Sequence, residues 1–237
     1  MNELTSLQKG TLAIVPARGG SKGIVRKNLQ VVAGETLVGH AIRFARDCGL
    51  FETVHLSTDD QEIADEGDRY GCKPRFLRST HSSGDRASAT DVVREVRNQL
   101  LSEGKHFERY VLLEPTSPMR TVECVAGAIK LTQQQFDAAL TVSPIDQKFH
   151  ADKQFSVAES GAVAFMTERG SSVVARQQLT QTYIRNGFCY VVMDRVIEEG
   201  GTILGFRPGA FICNGPFVNI DTAEELEHCR RLMEQSN

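Results

Sequence analysis

The chain has 237 residues, enough for one large domain, and its 41% hydrophobic and 24% charged content is close to that of globular proteins. A formal net charge of -3 excludes the broad basic field of a nucleic-acid or anionic-membrane binder. No apolar run approaches the roughly 20 residues that span a bilayer, and the polar start from Met1 to Gly10 lacks the apolar centre of a signal peptide, so a cytoplasmic protein is expected.

Short β-branched runs alternate with amphipathic stretches through the first half. Thr11 to Val15 is a compact apolar run ended by Pro16 and suits a buried strand. Leu37 to Cys48 has helical spacing. Thr53 to Ser57 reads as a strand and Asp60 to Tyr70 as a helix. A further helix is expected over Ala87 to Leu101, a strand over Tyr110 to Leu113, a helix over Val122 to Gln133 and a strand over Ala138 to Val142. Such alternation predicts an α/β fold with a three-layer, mostly parallel, Rossmann-like sheet, whose ligands bind at the carboxyl ends of the strands. From Pro144 to about Thr182 the rhythm breaks into a polar, Gln- and Ser-rich excursion of loops and short strands, such as Ala162 to Met166. Strands are expected again at Phe188 to Met193 and Phe217 to Ile220. A helix over Thr222 to Met233 ends the pattern, with Asp221 or Thr222 as N-cap and Glu224 and Glu225 in its first turn. No repeat or linker marks a second domain, so residues 1–237 read as one. The six cysteines are scattered without C-x-x-C spacing and read as buried free thiols. The histidines show no metal-ligand spacing.

The most informative segment follows the first strand: Pro16-Ala17-Arg18-Gly19-Gly20-Ser21-Lys22-Gly23. Glycines let backbone N–H groups approach an anion, and Arg18 and Lys22 bring charge, with Arg26 and Lys27 just beyond. This is what a nucleoside triphosphate demands. Neither G-x-x-x-x-G-K-[ST] nor G-x-G-x-x-G is present, so the kinase-type P-loop and the dinucleotide fingerprint are both excluded. Alone, the loop is also readable as a strand-to-helix turn with solvated charges.

Further segments follow in order: Lys27-Asn28, Ser57-Thr58-Asp59-Asp60, Arg78, Gly84-Asp85-Arg86-Ala87-Ser88, Leu112-Leu113-Glu114-Pro115-Thr116-Ser117-Pro118, Arg176-Gln177-Gln178, Asn186-Gly187 and Ile220-Asp221-Thr222. In this order and spacing, from about Leu12 to Leu232, the chain resembles the CMP-sialic acid synthetases, the acylneuraminate cytidylyltransferases. The resemblance implies an α/β fold of the nucleotide-diphospho-sugar transferase type, usually a homodimer. It implies that CTP is joined to a nonulosonic acid when the sugar's anomeric hydroxyl attacks the α-phosphate, with Mg²⁺ as cofactor. It assigns Arg18, Lys22 and Asp221 to catalysis, and Ala17, Arg18, Gly19, Gly20, Ser21, Lys22, Asn28, Arg78, Asp85 and Ser88 to the nucleotide. Glu114, Arg176, Gln177 and Asn186 go to the sugar, Asp221 and Asn219 to the metal, and residues 144–185 to dimerisation and the sugar side. The alternatives are a CMP-Kdo-type cytidylyltransferase and a non-catalytic nucleotide-binding protein.

Two departures from the family pattern stand out. Asp-x-Asp-Thr becomes Asn219-Ile220-Asp221-Thr222, which leaves one carboxylate of two. The Gln of Leu-Leu-Gln-Pro-Thr-Ser-Pro becomes Glu114, which only accepts hydrogen bonds when ionised and points to a donor-rich sugar, such as a diamino nonulosonate of the legionaminate or pseudaminate type. Asp59 and Asp60 read as a helix cap beside the nucleotide rather than as catalysts.

Overall fold

The computed structural model describes residues 3–21, 23–79, 88–173 and 175–235. Its centre is strand β1 (Thr11–Pro16), which is buried along nearly its whole length. Leu12 and Ile14 face one layer and Ala13 and Val15 the other, as the two-residue period of a strand requires. Two short hairpin strands, β2 (Val31–Val32) and β3 (Glu35–Thr36), follow the glycine loop. β1 pairs in parallel with β4 (Thr53–Ser57) on one side and β5 (Arg109–Leu112) on the other. Then come β6 (Ala138–Pro144), a separate hairpin of β7 (Phe155–Val157) and β8 (Val163–Phe165), β9 (Tyr183–Met193) and β10 (Pro208–Ile212). β9 runs antiparallel to both β5 and β6, and β10 closes the edge in parallel with β6. Among the described residues the main sheet has six strands in the order β10-β6-β9-β5-β1-β4. The sheet is mostly parallel, as expected, with one reversed strand at its middle.

Helices cover both faces. α1 (Glu3–Gln8), α2 (Leu37–Asp47), α3 (Gln61–Arg69) and α5 (Val122–Gln134) bury Leu7, Ile42, Ile63 and Ile129 against Val15, Val111 and Val191. α4 (Ala89–Ser102) and α6 (Asp194–Glu198) bury Val92, Val96 and Val196 against Leu12, Ile14 and Tyr110 on the opposite face. Each fully buried aliphatic side chain contributes about 1.5–3 kcal/mol, so these two layers hold the sheet in place. α7 (Ala223–Glu234) begins at a capping box in which Thr222 and Glu225 satisfy each other's backbone N–H groups. Leu226 and Cys229 of α7 pack with Val218 and Ile220 against Ile24, Val32 and Leu37, so this cluster fastens the tail of the chain to the segment after the glycine loop.

Several elements differ from the sequence reading. Phe217 to Ile220 is no strand: it crosses the carboxyl end of the sheet and is tied there by the Ile220 N–H, which donates to Thr116 O at 2.9 Å. The edge strand is instead β10, which starts with a proline, tolerable only at an edge or a strand start. α1 and α6 were not expected either. The excursion after β6 does consist of 3₁₀ turns and the β7–β8 hairpin. The cysteines are free thiols, all but Cys48 buried. Among the described residues no helix is long and apolar enough to cross a membrane.

Candidate active site

From β1 the chain moves to β4 on one side, and β5 lies on the other. Strand order therefore reverses between β1 and β5, the position at which α/β folds bind ligands. There a cleft of about 390 Å³ opens, a size typical of small-molecule sites. Its lining comes from distant parts of the chain: Arg18, Lys27 and Asn28 after β1, Arg78 after β4, Ser88 and Ala89 at the start of α4, Glu114 to Thr116 after β5, and Asn219 and Asp221 before α7.

The loop is fixed from below. Ala17 N–H donates to Ser57 O at 2.9 Å and Gly19 N–H to the Asp59 carboxylate at 2.9 Å. Glycine at 19 is a packing requirement, because a Cβ there would collide with the Asp60 side chain. Asp60 is the N-cap of α3, accepting from the N–H groups of Glu62 and Ile63. A Cβ on Gly20 meets nothing within 4 Å, so the loop's crest is open. Arg26 turns away from the cleft to pair with Asp60 and Glu62. Lys27 points across it, donating to Ile220 O at 2.9 Å and to the Asp221 carboxylate at 2.7 Å. Lys22 and Asp85 lie outside the described residues.

On the proposed nucleotide side, the Asn28 amide donates to Arg18 O at 2.9 Å and so braces the loop. Arg78 is buried and its guanidinium is held by the Ser57 hydroxyl and carbonyl; burial lowers its pKa, with Asp59 opposing. The Ser88 hydroxyl is engaged in the capping box with Asp91. What α4 directs at the cleft is its N-terminus, a favourable place for an anion.

The opposite wall carries Glu114, Asn219 and Asp221. Asn219 Oδ1 accepts from the Ser117 hydroxyl at 3.3 Å. Asp221 is largely exposed, with one oxygen on Lys27. Glu114 is half-buried. Burial lifts its carboxyl above the ordinary range, and the nearby Asp221 carboxylate adds to the rise while Arg120, Arg185 and Lys27 pull it back. A carboxyl with a raised folded pKa holds its proton more tightly folded than unfolded. Its contribution to stability is therefore full below the unfolded pKa of about 4.3 and is lost as pH rises through the folded value. Glu114→Gln removes that loss. Its melting temperature is expected to exceed that of the wild type at about pH 8, with the gap shrinking towards about pH 4; an equal or lower midpoint at the higher pH contradicts this account.

Three residues assigned to the sugar by resemblance do not line this cleft. Asn186 is fully buried: its amide donates to the Ser143 hydroxyl at 3.0 Å and its carbonyl accepts from Phe188 N–H at 3.1 Å. Both ends of that side chain are used to hold the irregular stretch of β9, where the register against β6 shifts. Arg176 and Gln177 are exposed on the excursion, Arg176 donating to Gln147 Oε1 at 2.6 Å. Conversely, Lys27, expected only as a cation just beyond the loop, and Thr116, expected only as part of the segment after β5, both line the cleft.

The chain matches the cytidylyltransferase family model over residues 12–235. It is 31% identical over 227 residues to a pseudaminic acid cytidylyltransferase of Campylobacter jejuni, covering 93% of this chain and 95% of that protein. It is 33% identical over 137 residues to a CMP-N,N'-diacetyllegionaminic acid synthase of Legionella pneumophila, covering 58% and 59% of the two chains. With the N-acylneuraminate cytidylyltransferase A of Danio rerio it shares 32% identity over 193 residues, 79% of this chain and 42% of that one. Among solved structures, a CMP:2-keto-3-deoxy-manno-octonic acid synthetase complexed with CTP superposes with a TM-score of 0.71 at 18% identity, covering 96% and 99%, a likeness of fold. With the family match spanning nearly its whole length, the chain belongs to the cytidylyltransferase family.

Proposed function

We propose that this protein joins CTP to a nonulosonic acid, releasing pyrophosphate and a CMP-sugar. The observation that carries the reading is a cleft at the strand-order reversal, lined by Arg18 of the glycine loop and Arg78 on one side and by the oxygen groups of Glu114, Thr116, Asn219 and Asp221 on the other. The triphosphate lies along Ala17 to Lys22 and the N-terminus of α4, with Arg18 and Lys22 offsetting charge that builds on the departing pyrophosphate. Asn28, Arg78 and Ser88 serve the base and ribose, a role the family resemblance also gives to Asp85. The sugar's anomeric hydroxyl attacks the α-phosphorus from the Glu114 side; the new O–P bond forms as the bond to the β-phosphate oxygen breaks. The oxygen donors present suit Mg²⁺, which takes one or two carboxylates and keeps waters: Asp221 supplies a carboxylate and Asn219 an amide oxygen. When bound, the ion would offset phosphate charge and lower the pKa of the attacking hydroxyl.

The two relatives named for pseudaminic and diacetyllegionaminic acid support a diacetamido nonulosonate as the sugar. We place the enzyme in the cytoplasm. Pyrophosphate release assayed over a panel of nonulosonic acids and nucleotides tests the reading. Release is expected only with CTP, Mg²⁺ and a nonulosonic acid together, and a clear preference for N-acetylneuraminate removes the diacetamido assignment.

The excursion supports a homodimer. Phe155, Val157, Val163, Phe165 and Met166 are exposed on and beside one small hairpin, a concentration of apolar surface that marks an interaction site on a soluble protein. Val157→Glu combined with Val163→Glu is expected to turn a sedimenting dimer into a monomer. Unchanged sedimentation excludes this face as the interface.

A further inference from the structure

The carboxylate that Asp221 offers to a cation is already engaged. Lys27 Nζ donates to it at 2.7 Å and to Ile220 O at 2.9 Å. The lysine is the enclosed partner, its side chain 16% exposed against 68% for Asp221. Its backbone is set from both sides. Arg26, just before it, is a non-glycine residue at φ +54° and ψ +40°, a strained conformation held by pairs with Asp60 and Glu62. Lys27 O accepts from Gln30 N–H at 3.0 Å, and Gln30 O accepts from Leu37 N–H at 3.0 Å at the start of α2. Across the contact, Asp221 N–H donates to the Glu225 carboxylate at 2.8 Å. With both backbones fixed in this way, the contact opens by rotation of the two side chains.

Asn219 makes that contact consequential. Its amide carries no charge, and its Oδ1 already accepts from the Ser117 hydroxyl at 3.3 Å. Among the described residues lining the cleft, the cations Arg18, Lys27 and Arg78 outnumber the carboxylates Glu114 and Asp221. A free divalent cation entering here meets an excess of positive charge, and it must also displace an ammonium from its carboxylate. A triphosphate reverses both conditions. It brings several negative charges, and its oxygens give Lys27 another acceptor. It also completes the ligand set that Mg²⁺ favours, one or two carboxylates with substrate phosphates.

We propose that Lys27 is a metal gate: its ammonium competes with a divalent cation for Asp221, so this chain takes its metal together with the triphosphate and not before it. The inference rests on the cytidylyltransferase reading above and adds an order of binding to it. Asn219 keeps the gate tight. A second carboxylate at that position would hold a cation while Lys27 stayed on Asp221.

The test measures Mn²⁺ binding by water-proton relaxation enhancement, which separates ion held on the protein from ion held by free CTP. Wild type, Lys27→Met and Asn219→Asp are compared with and without CTP. Without nucleotide, each variant is expected to bind Mn²⁺ about tenfold or more tighter than wild type. Wild type is expected to take up the ion once CTP is added. If Lys27→Met fails to fold, Lys27→Gln replaces it with the same expectation. A folded position-27 variant that binds Mn²⁺ no tighter than wild type overturns the gate, and an Asn219→Asp protein without gain overturns the part given to Asn219. Wild-type protein that is neither stabilised by CTP nor consumes it removes the cytidylyltransferase reading itself. Wild type that turns over CTP and holds Mn²⁺ equally well without it removes only the gate.

Discussion

An Arg18→Ala variant is expected to lose about 10²–10³-fold in kcat/KM for CTP while remaining folded. Arg18 stands on the loop after β1 and lines the cleft, and the loop's backbone is held by Ala17 N–H on Ser57 O and Gly19 N–H on the Asp59 carboxylate. The loss falls on the charge stabilisation that Arg18 shares with Lys22 as pyrophosphate departs. Arg18→Lys keeps a point charge without the two-pronged grip and is expected to recover part of the activity. Steady-state kinetics with CTP and the sugar, beside a thermal melt, make the check. Activity within about threefold of wild type for the alanine variant removes Arg18 from the phosphate site.

The second large effect concerns a residue with no functional group. A Cβ at Gly23 would collide with the backbone carbonyl of Asp221. A side-chain obstacle can rotate away; a backbone oxygen cannot. That carbonyl belongs to a segment anchored by Val218 and Ile220 against Ile24, and by Lys27 on Ile220 O and Asp221. Gly23→Ala must therefore push the glycine loop and the Asp221 segment apart. A displacement approaching 1 Å at a reacting centre costs on the order of 10²-fold in rate. The expected result is a fall of about that size in kcat/KM, accompanied by modest destabilisation. Wild-type kinetics in a folded Gly23→Ala protein would show that the close approach of the two segments is unimportant.

Much of the fold can be read from local pattern, because β1, β4, β5 and β6 are short apolar runs between amphipathic helices with ordinary caps. Strand direction is not local information. Nothing within Tyr183–Met193 states that it inserts antiparallel between β5 and β6, and the two-residue period looks the same either way. β10 escapes notice because Pro-Gly-Ala-Phe-Ile carries little β-branched character and starts with a helix and strand breaker. Phe217 to Ile220 misleads for the opposite reason. Its apolar residues are buried by α7 and the segment after the loop instead of by sheet neighbours. At the site, Arg18, Asn28, Arg78, Ser88, Glu114, Asn219 and Asp221 meet in one cleft, although sequence shows only their types and order. Asn186, Arg176 and Gln177 show the limit of reading by position. An amide in a strand serves a ligand or its own backbone according to where the strand shifts register, and that is decided by β6 and Gly187 rather than by its immediate neighbours.

Attack of the sugar's hydroxyl on the α-phosphorus of CTP can be followed by phosphorus NMR with mass spectrometry on a mixture of protein, CTP, Mg²⁺ and a diacetamido nonulosonate. One CMP–sugar phosphodiester is expected for every pyrophosphate formed, and neither without the sugar. Formation of CDP, pyrophosphate released in the absence of sugar, or CTP that raises the melting temperature and is never consumed rules this chemistry out.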